Sequence, residues 1–153
     1  MAEVDDFMAE IQPIVRAADV AFHNGDPQPR MELWSHEDPV TFYGANVTKS
    51  GWNEVEPTFN QISSLFSHAG TYEVEIVGAG VSGALAYIVA KEHETTSVGG
   101  GASETYTLRA TTIFRRENGR WRQVHRHADP DPENPDSETA RRQLSRLDEA
   151  GLK

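Results

Sequence analysis

The chain contains no cysteine, which excludes disulfides, thiol nucleophiles and cysteine-based zinc sites. Positive charge is also scarce: 14 Lys and Arg stand against 24 Asp and Glu, for a formal net charge of −10. Nucleic acid and anionic membranes are bound through clustered positive charge, so neither is expected as a partner. No apolar run approaches the roughly 18 residues of a membrane span, and the acidic N-terminal stretch lacks the basic flank of a signal peptide. The expectation is a soluble, cytoplasmic protein. What is present, 153 residues of which 37% are hydrophobic, suffices for one domain with a real core.

Periodicity orders the chain. Val4, Phe7, Met8, Ile11, Val15, Ala18 and Phe22 recur at helical spacing, predicting an amphipathic first helix that Pro13 should kink or split. Asn24-Gly25-Asp26 supplies its stop. Pro27 to Ser35 reads as a short second helix and Val40 to Tyr43 as a short strand, followed by a turn-rich loop from Gly44 to Gly51. A third helix is predicted from about Asn53 to His68, with Trp52, Val55, Phe59, Ile62 and Phe66 along one face. Asn53 with Glu56 is its candidate capping box, and Gly70 its C-terminal cap.

After Gly70 the period changes to two. Tyr72, Val74 and Ile76 alternate with Glu73, Glu75 and Val77; Leu85, Tyr87 and Val89 alternate with Ala86, Ile88 and Ala90. Gly78-Ala79-Gly80-Val81-Ser82-Gly83 has the glycine spacing of a dinucleotide fingerprint, but that motif needs a helix after it. The β-branched and aromatic run that follows favours a hairpin turn instead. Residues 131–153 form an acidic, proline-rich linker and a short helix with Ala140, Leu144 and Leu147 on one side, which must dock or fray. Helices first and then four consecutive strands indicate an α+β fold, with helices on one face of a mostly antiparallel sheet.

The last hairpin is the most sharply specified element. Asn118-Gly119 lies between two alternating runs, and both residues tolerate the positive φ of a type I′ turn. Counting outward pairs Glu117 with Arg120, Arg115 with Arg122, Ile113 with Val124, Thr111 with Arg126 and Arg109 with Ala128. One face then carries Arg109, Thr111, Ile113, Val124 and Arg126. The other carries Leu108, Ala110, Thr112, Phe114, Trp121, Gln123, His125 and His127.

Several side chains are candidates for chemistry. Arg109 and Arg126, diagonal on one face, suit a carboxylate or phosphate, or else internal acids such as Glu92 or Glu104. His125 and His127 share a strand face, but two ligands alone do not make a metal site, so no metal is assigned. Trp34, Tyr43, Trp52, Phe59 and Tyr87 are candidates to line an apolar pocket, although Trp52 and Phe59, at helical spacing, also read as plain core. Tyr87 is favoured because a phenol in a central strand needs a partner. His36, Asp38, His93 and Asp129 are available as general acids or bases, and no nucleophile motif is recognisable.

The element order and the run LRATTIFRRENGRWRQVHRHADP resemble the nuclear-transport-factor-2-like superfamily, in particular its SnoaL-like and ketosteroid-isomerase-like members. Asn24-Gly25-Asp26, Gly51-Trp52 and Leu85-Ala86-Tyr87 support this over residues 4–130. Ala86-Tyr87-Ile88 and Gly119 to His127 are also similar to the association domain of calcium/calmodulin-dependent protein kinase II. That domain's pocket arginines fall near Thr111, Ala128 and Val89 here, so its ligand is not implied. The resemblance implies a cystatin-like cone: a curved sheet closed by three helices of the N-terminal half around a pocket, spanning residues 1–130. It further implies a homodimer through the sheet's outer face. By strand phase, Arg109 and Arg126 are expected in the pocket, with Trp121, His125 and His127 at the dimer side. Two functions follow as expectations. One is a cofactor-independent isomerase, dehydratase or cyclase acting by proton transfer on a small apolar or carboxylate-bearing molecule. The other is a non-catalytic ligand-binding or oligomerisation domain.

Overall fold

The computed structural model describes residues 2–152. Helix α1 runs from Ala2 to Phe22 and passes through Pro13 without a break. Pro13 and Ala9, whose carbonyl it leaves without an intrahelical partner, both lie on the exposed side, where water can satisfy that carbonyl. Gly25, at φ +88°, ends the helical segment as expected. Helix α2 (Gln28–Leu33) follows. The predicted loop between Gly44 and Gly51 instead forms a hairpin of β1 (Thr41–Gly44) and β2 (Val47–Ser50). Its turn is Ala45-Asn46, both at positive φ; alanine is an unusual choice there, which hid the turn from the sequence.

Helix α3 (Trp52–Ser64) starts one residue before the candidate capping box. Its first N–H groups are satisfied differently: the Trp52 N–H donates to Asp38 Oδ1 at 2.9 Å. The helix also stops early, because Phe66–Ser67 leaves it to form a two-residue strand β3 beside Val98 and Ser97. The long strands β4 (Tyr72–Ser82), β5 (Leu85–Val98), β6 (Glu104–Glu117) and β7 (Arg120–Pro130) complete a seven-stranded sheet. The sheet order is β2-β1-β7-β6-β5-β3, with β4 on β5, and all pairs are antiparallel except β1 with β7. Curled around the helices, it forms a half-barrel.

Burial on β5 keeps a period of two: Ala86, Ile88, Ala90, Glu92, Glu94 and Thr96 are all buried. The inward phase thus changes from apolar to acidic partway along one strand. Apolar clusters lie on either side of the charged zone. Phe7, Ile11, Leu33, Phe114 and Trp121 form one; Phe22, Trp34, Phe42, Phe59, Ile62 and Phe66 anchor the other.

The Asn118-Gly119 turn and its first two pairs fall where the count puts them, Glu117 with Arg120 and Arg115 with Arg122. The register then shifts by one residue between Ile113 and Phe114. Phe114 pairs with Gln123 and Ile113 with His125, leaving Val124 as the extra residue of a bulge. The bulge lies where β7 changes neighbour. Gln123 bonds to the Trp34–Ser35 segment after α2, whereas β1 takes over from His125 onward.

Residues 131–136 fold back against β6, with Thr107 donating to Asp136 at 2.8 Å. Helix α4 (Ser137–Glu149) docks on the body rather than fraying. It buries Ala140 and Leu147, and the Gln143 amide donates to the Thr96 carbonyl at 2.8 Å. Among the described residues no helix is long and apolar enough to cross a membrane.

Candidate functional site

A cavity of about 190 Å³ lies between α1 and the inner face of the sheet. Val15, Val74, Ile76, Ile88 and Phe114 make one part of its wall apolar; Asp19, Arg30, Glu92 and Arg126 make the other part charged. At the border stand Tyr72, Thr112 and Gln123. Arg16 spans from α1 to the sheet, donating to the Tyr72 carbonyl at 2.8 Å.

The buried charges pair in a fixed pattern. Arg126 makes a bidentate bond to Glu92, at 2.9 and 2.7 Å. Arg30 donates to Asp19 Oδ1 at 2.9 Å, with its guanidinium 3.7 Å from the Phe22 ring centre. His23, one helical turn after Asp19, bonds through Nδ1 to the Asp19 main-chain carbonyl at 2.8 Å, with Nδ1 also 3.2 Å from Asp19 Oδ2, and has Nε2 2.9 Å from Glu94 Oε2. The result is a row, Asp19–His23–Glu94, entirely inside the protein. A smaller cavity of about 40 Å³ touches His23, Glu94, Arg30 and Arg126 from the far side. A water-sized crevice beside Gly70 and Thr71 touches Asp19, His23 and Glu94. Asp19 is the one member of the row that lines the main cavity.

Charge counting explains how this interior is tolerated. Asp19, Glu92 and Glu94 bring three carboxylates, against the two guanidiniums of Arg30 and Arg126. An uncompensated buried charge is expensive, so the row must hold one further positive charge. A proton supplies it. Burial works against charge on His23, but Glu94 and Asp19 overcome it and raise the imidazole well above its usual range. Burial and the Asp19 charge push Glu94 up to about 7, with His23 partly opposing. Burial alone would raise Asp19; His23 and Arg30 reverse that and hold it well below the usual carboxylate range. The three therefore titrate as a unit that retains a proton to unusually high pH. Donor atoms of the row lie within 4.8 Å of one another, close enough to suit a small cation. Arg30, however, already places a fixed positive charge against Asp19, which favours the proton.

The residues singled out from the sequence are scattered by the fold. Arg126 lines the cavity, but Arg109 does not. β6 alternates without interruption, so Arg109 lies on its outer face, exposed, in a bidentate pair with Asp129 at 3.0 Å, and it is Arg126 that the bulge at Val124 turns to the inner face. Trp121 lies before the bulge on the same face as Phe114 and Gln123, and that face is the inner one rather than the dimer side, with the Trp121 ring 5.0 Å from Phe7. His125 and His127 are on the outer face, both against the Tyr43 ring. Tyr87 is also outside and about half exposed. Its ring lies over Gly80, where any Cβ would meet it at 2.5 Å. Trp34 and Phe59 are core residues, 5.0 Å apart between ring centres. Trp52 stacks on His36 at 4.1 Å. Of the seven expected pocket residues, only Arg126 lines this inner cavity; Arg109 lines a more open depression of about 400 Å³ on the outer face, beside His127 and Asp129.

The four general acid–base candidates lie elsewhere too. The His36 imidazole bonds to the Met31 carbonyl, Asp38 caps α3, His93 meets Thr107 and Asp129 holds Arg109. The sequence does not single out Asp19, His23, Arg30 or Tyr72 as site residues, and Glu94 enters only as a candidate third ligand beside His125 and His127, which lie on the opposite face. One signal was available: Glu92 and Glu94 continue the inward phase of Ala86, Ile88 and Ala90, and acids on a buried strand face require partners.

Comparison with known proteins agrees with this architecture. A proposed dehydratase of the nuclear-transport-factor-2-like family from Streptomyces avermitilis superposes with a TM-score of 0.70 at 21% identity, over 83% of this chain and 97% of that one. A nuclear-transport-factor-2-like protein from Salmonella enterica serovar Typhimurium gives 0.69 at 19% identity, covering 86% and 96%. A proposed calcium/calmodulin-dependent protein kinase II association domain from Thiobacillus denitrificans gives 0.63 at 20% identity, covering 77% and 92%. At such identities these likenesses concern the fold alone. No functionally curated protein matches the chain. The model of the SnoaL-like domain matches residues 11–129, so the chain belongs to the SnoaL-like domain family.

Proposed function

We propose that this protein binds a small molecule between α1 and the sheet and moves a proton on it without a cofactor, as an isomerase, dehydratase or cyclase. The observation that carries this reading is the Asp19–His23–Glu94 row, three buried titratable side chains in contact that reach the cavity through the Asp19 carboxylate. Tyr72 suits the complementary role. Burial, then the Asp19, Glu92 and Glu94 charges, push its phenol far above the usual range. It keeps its proton and can donate a hydrogen bond to an oxygen on which negative charge develops.

Solvent-deuterium exchange at the carbon next to the carbonyl of small cyclic ketones and enones, followed by NMR, tests this directly. The wild-type protein is expected to accelerate exchange, and Asp19→Asn to lose about 10²- to 10⁴-fold of the acceleration. No acceleration over buffer across such a panel would sink the catalytic reading.

One observation favours a second reading, a ligand-binding domain without chemistry. Each acid lining the main cavity already has an arginine partner, and Asp19 is held low, which makes it a weak base. Tight binding with no exchange would select it.

We further propose a homodimer through the sheet's outer face. Val77, Leu85 and Tyr87 are exposed there, an apolar patch that a second copy would bury. A monomer by light scattering at micromolar concentration would refute this.

A further inference from the structure

We infer that the cavity takes a neutral, single-ring molecule bearing one or two oxygen atoms, and selects against both carboxylates and polycycles. The inference rests on the cavity being the binding site, but not on any catalysis there.

Size sets the first limit. A cavity of about 150 Å³ lined by aliphatic and aromatic side chains is known to accept benzene, and this one measures about 190 Å³. That leaves room for one ring with small substituents. Pockets for drug-sized ligands begin at roughly 300 Å³.

Charge sets the second limit. Of the three arginines that line the cavity, Arg126 is engaged by two oxygens of Glu92 and Arg30 by Asp19, while Arg16, itself exposed, is held by the Tyr72 carbonyl. Among the buried groups of the inner wall and the row, three acids stand against two arginines, and the proton on the row only brings that total to neutral. A carboxylate bound at the buried inner wall would have to break an ion pair there, leaving an acid without its partner, and the remaining cavity arginine, Arg16, is exposed and screened by solvent. The carboxylate-bearing ligand suggested by Arg109 and Arg126 together loses its basis, since the two lie on opposite faces.

Unsatisfied neutral groups set the third. Tyr72 and Gln123 are each 5% exposed and Thr112 is 9% exposed. Neither the Tyr72 hydroxyl nor the Thr112 hydroxyl has a partner among the described residues, and the Gln123 amide makes one long bond, 3.5 Å, to the His125 carbonyl. Three such groups on one cavity wall are costly unless something bonds to them. They offer two hydroxyls and an amide, the complement of a ketone, enol or phenol oxygen, facing an apolar wall that suits a ring.

The test is binding, by titration calorimetry and by NMR of the cavity side chains. The probes are 4-methylphenol and 3-methylcyclohex-2-enone as neutral rings, 4-methylbenzoate as the charged isostere, and a steroid 3-ketone. At least one neutral ring should bind and shift the Ile76, Ile88 and Thr112 signals, with the benzoate roughly tenfold or more weaker and the steroid not bound. Tyr72→Phe and Thr112→Val should each weaken the neutral ring about three- to tenfold, while melting cooperatively. A steroid or benzoate binding as tightly as the neutral rings overturns the inference, as does failure of both neutral rings at millimolar concentration. Binding of a neutral ring without proton exchange would refute the catalytic reading and leave this inference standing.

Discussion

Two arginine–carboxylate pairs sit in neighbouring parts of the same sheet and differ mainly in which face they occupy. Arg126–Glu92 and Arg109–Asp129 are both bidentate with bonds of 2.7 to 3.0 Å. The first pair is 9% and 6% exposed at the side chains, the second 52% and 45%. Geometry alone would rank them as equals. Solvent separates them: water and salt screen the outer pair, so it contributes little. The inner pair has lost its hydration, and each partner is tolerable only because the other is there. Polar chemistry on the inner face is therefore coupled to stability, and polar chemistry on the outer face is nearly free to vary.

The comparison can be broken most sharply from the inside. Arg126→Met leaves Glu92 buried without a counter-charge and should destabilise the protein by about 3–5 kcal/mol in urea unfolding. Adding Glu92→Leu should recover most of that loss. If the double variant is no better than the single one, the pair is not the reason for the sensitivity.

A smaller effect should appear with pH. Glu94 is raised from its usual 4.5 to about 7. Its contribution is fully present below pH 4.5 and is lost as pH rises through 7. His23 is raised well above 6.5, so its contribution is lost above that, in the same direction. Asp19 and Glu117 are lowered and act oppositely, losing their contributions as pH falls below about 4. Stability should therefore peak near pH 5 and decline toward pH 9, by on the order of 2–3 kcal/mol. Glu94→Gln should flatten the limb between pH 5 and 7. A profile flat or rising from pH 5 to 9 would remove the shared proton from the account.

The least effect belongs to the outer face. Arg109→Ala should leave the unfolding midpoint within experimental scatter, and any difference should vanish in molar salt. A loss comparable to that of Arg126→Met would erase the distinction between the faces.

Much of the fold was legible because it rests on short-range signals. Helical spacing marked α1 and α3, the period of two marked β4 to β7, and Asn118-Gly119 marked the last turn. Failures occurred where neighbours distant in sequence decided the outcome. Pro13 could stay in the helix because its side is exposed. Phe66 left the third helix because Val98 offered a strand partner. Ala45-Asn46 turned a hairpin despite the alanine. For the site, aromatic residues drew attention as pocket liners, yet Trp34 and Phe59 became core and Tyr87 covered Gly80 on the outside. The residues of the site came instead from charges set within apolar patterns: Asp19 on the buried side of α1 and Glu92 on the inward phase of β5 line the cavity, with Glu94 behind them.

By itself the sequence determined where strands and turns fall, because backbone propensity and side-chain alternation act over a few residues. The tertiary structure alone decided which arginine of the last hairpin enters the cavity. A count from the turn sends Arg109 and Arg126 to the same face; one extra residue at Val124 separates them. That bulge lies where β7 exchanges the Trp34–Ser35 segment for β1 as its neighbour. Both neighbours lie more than 80 positions away in the chain, so no local pattern could announce it.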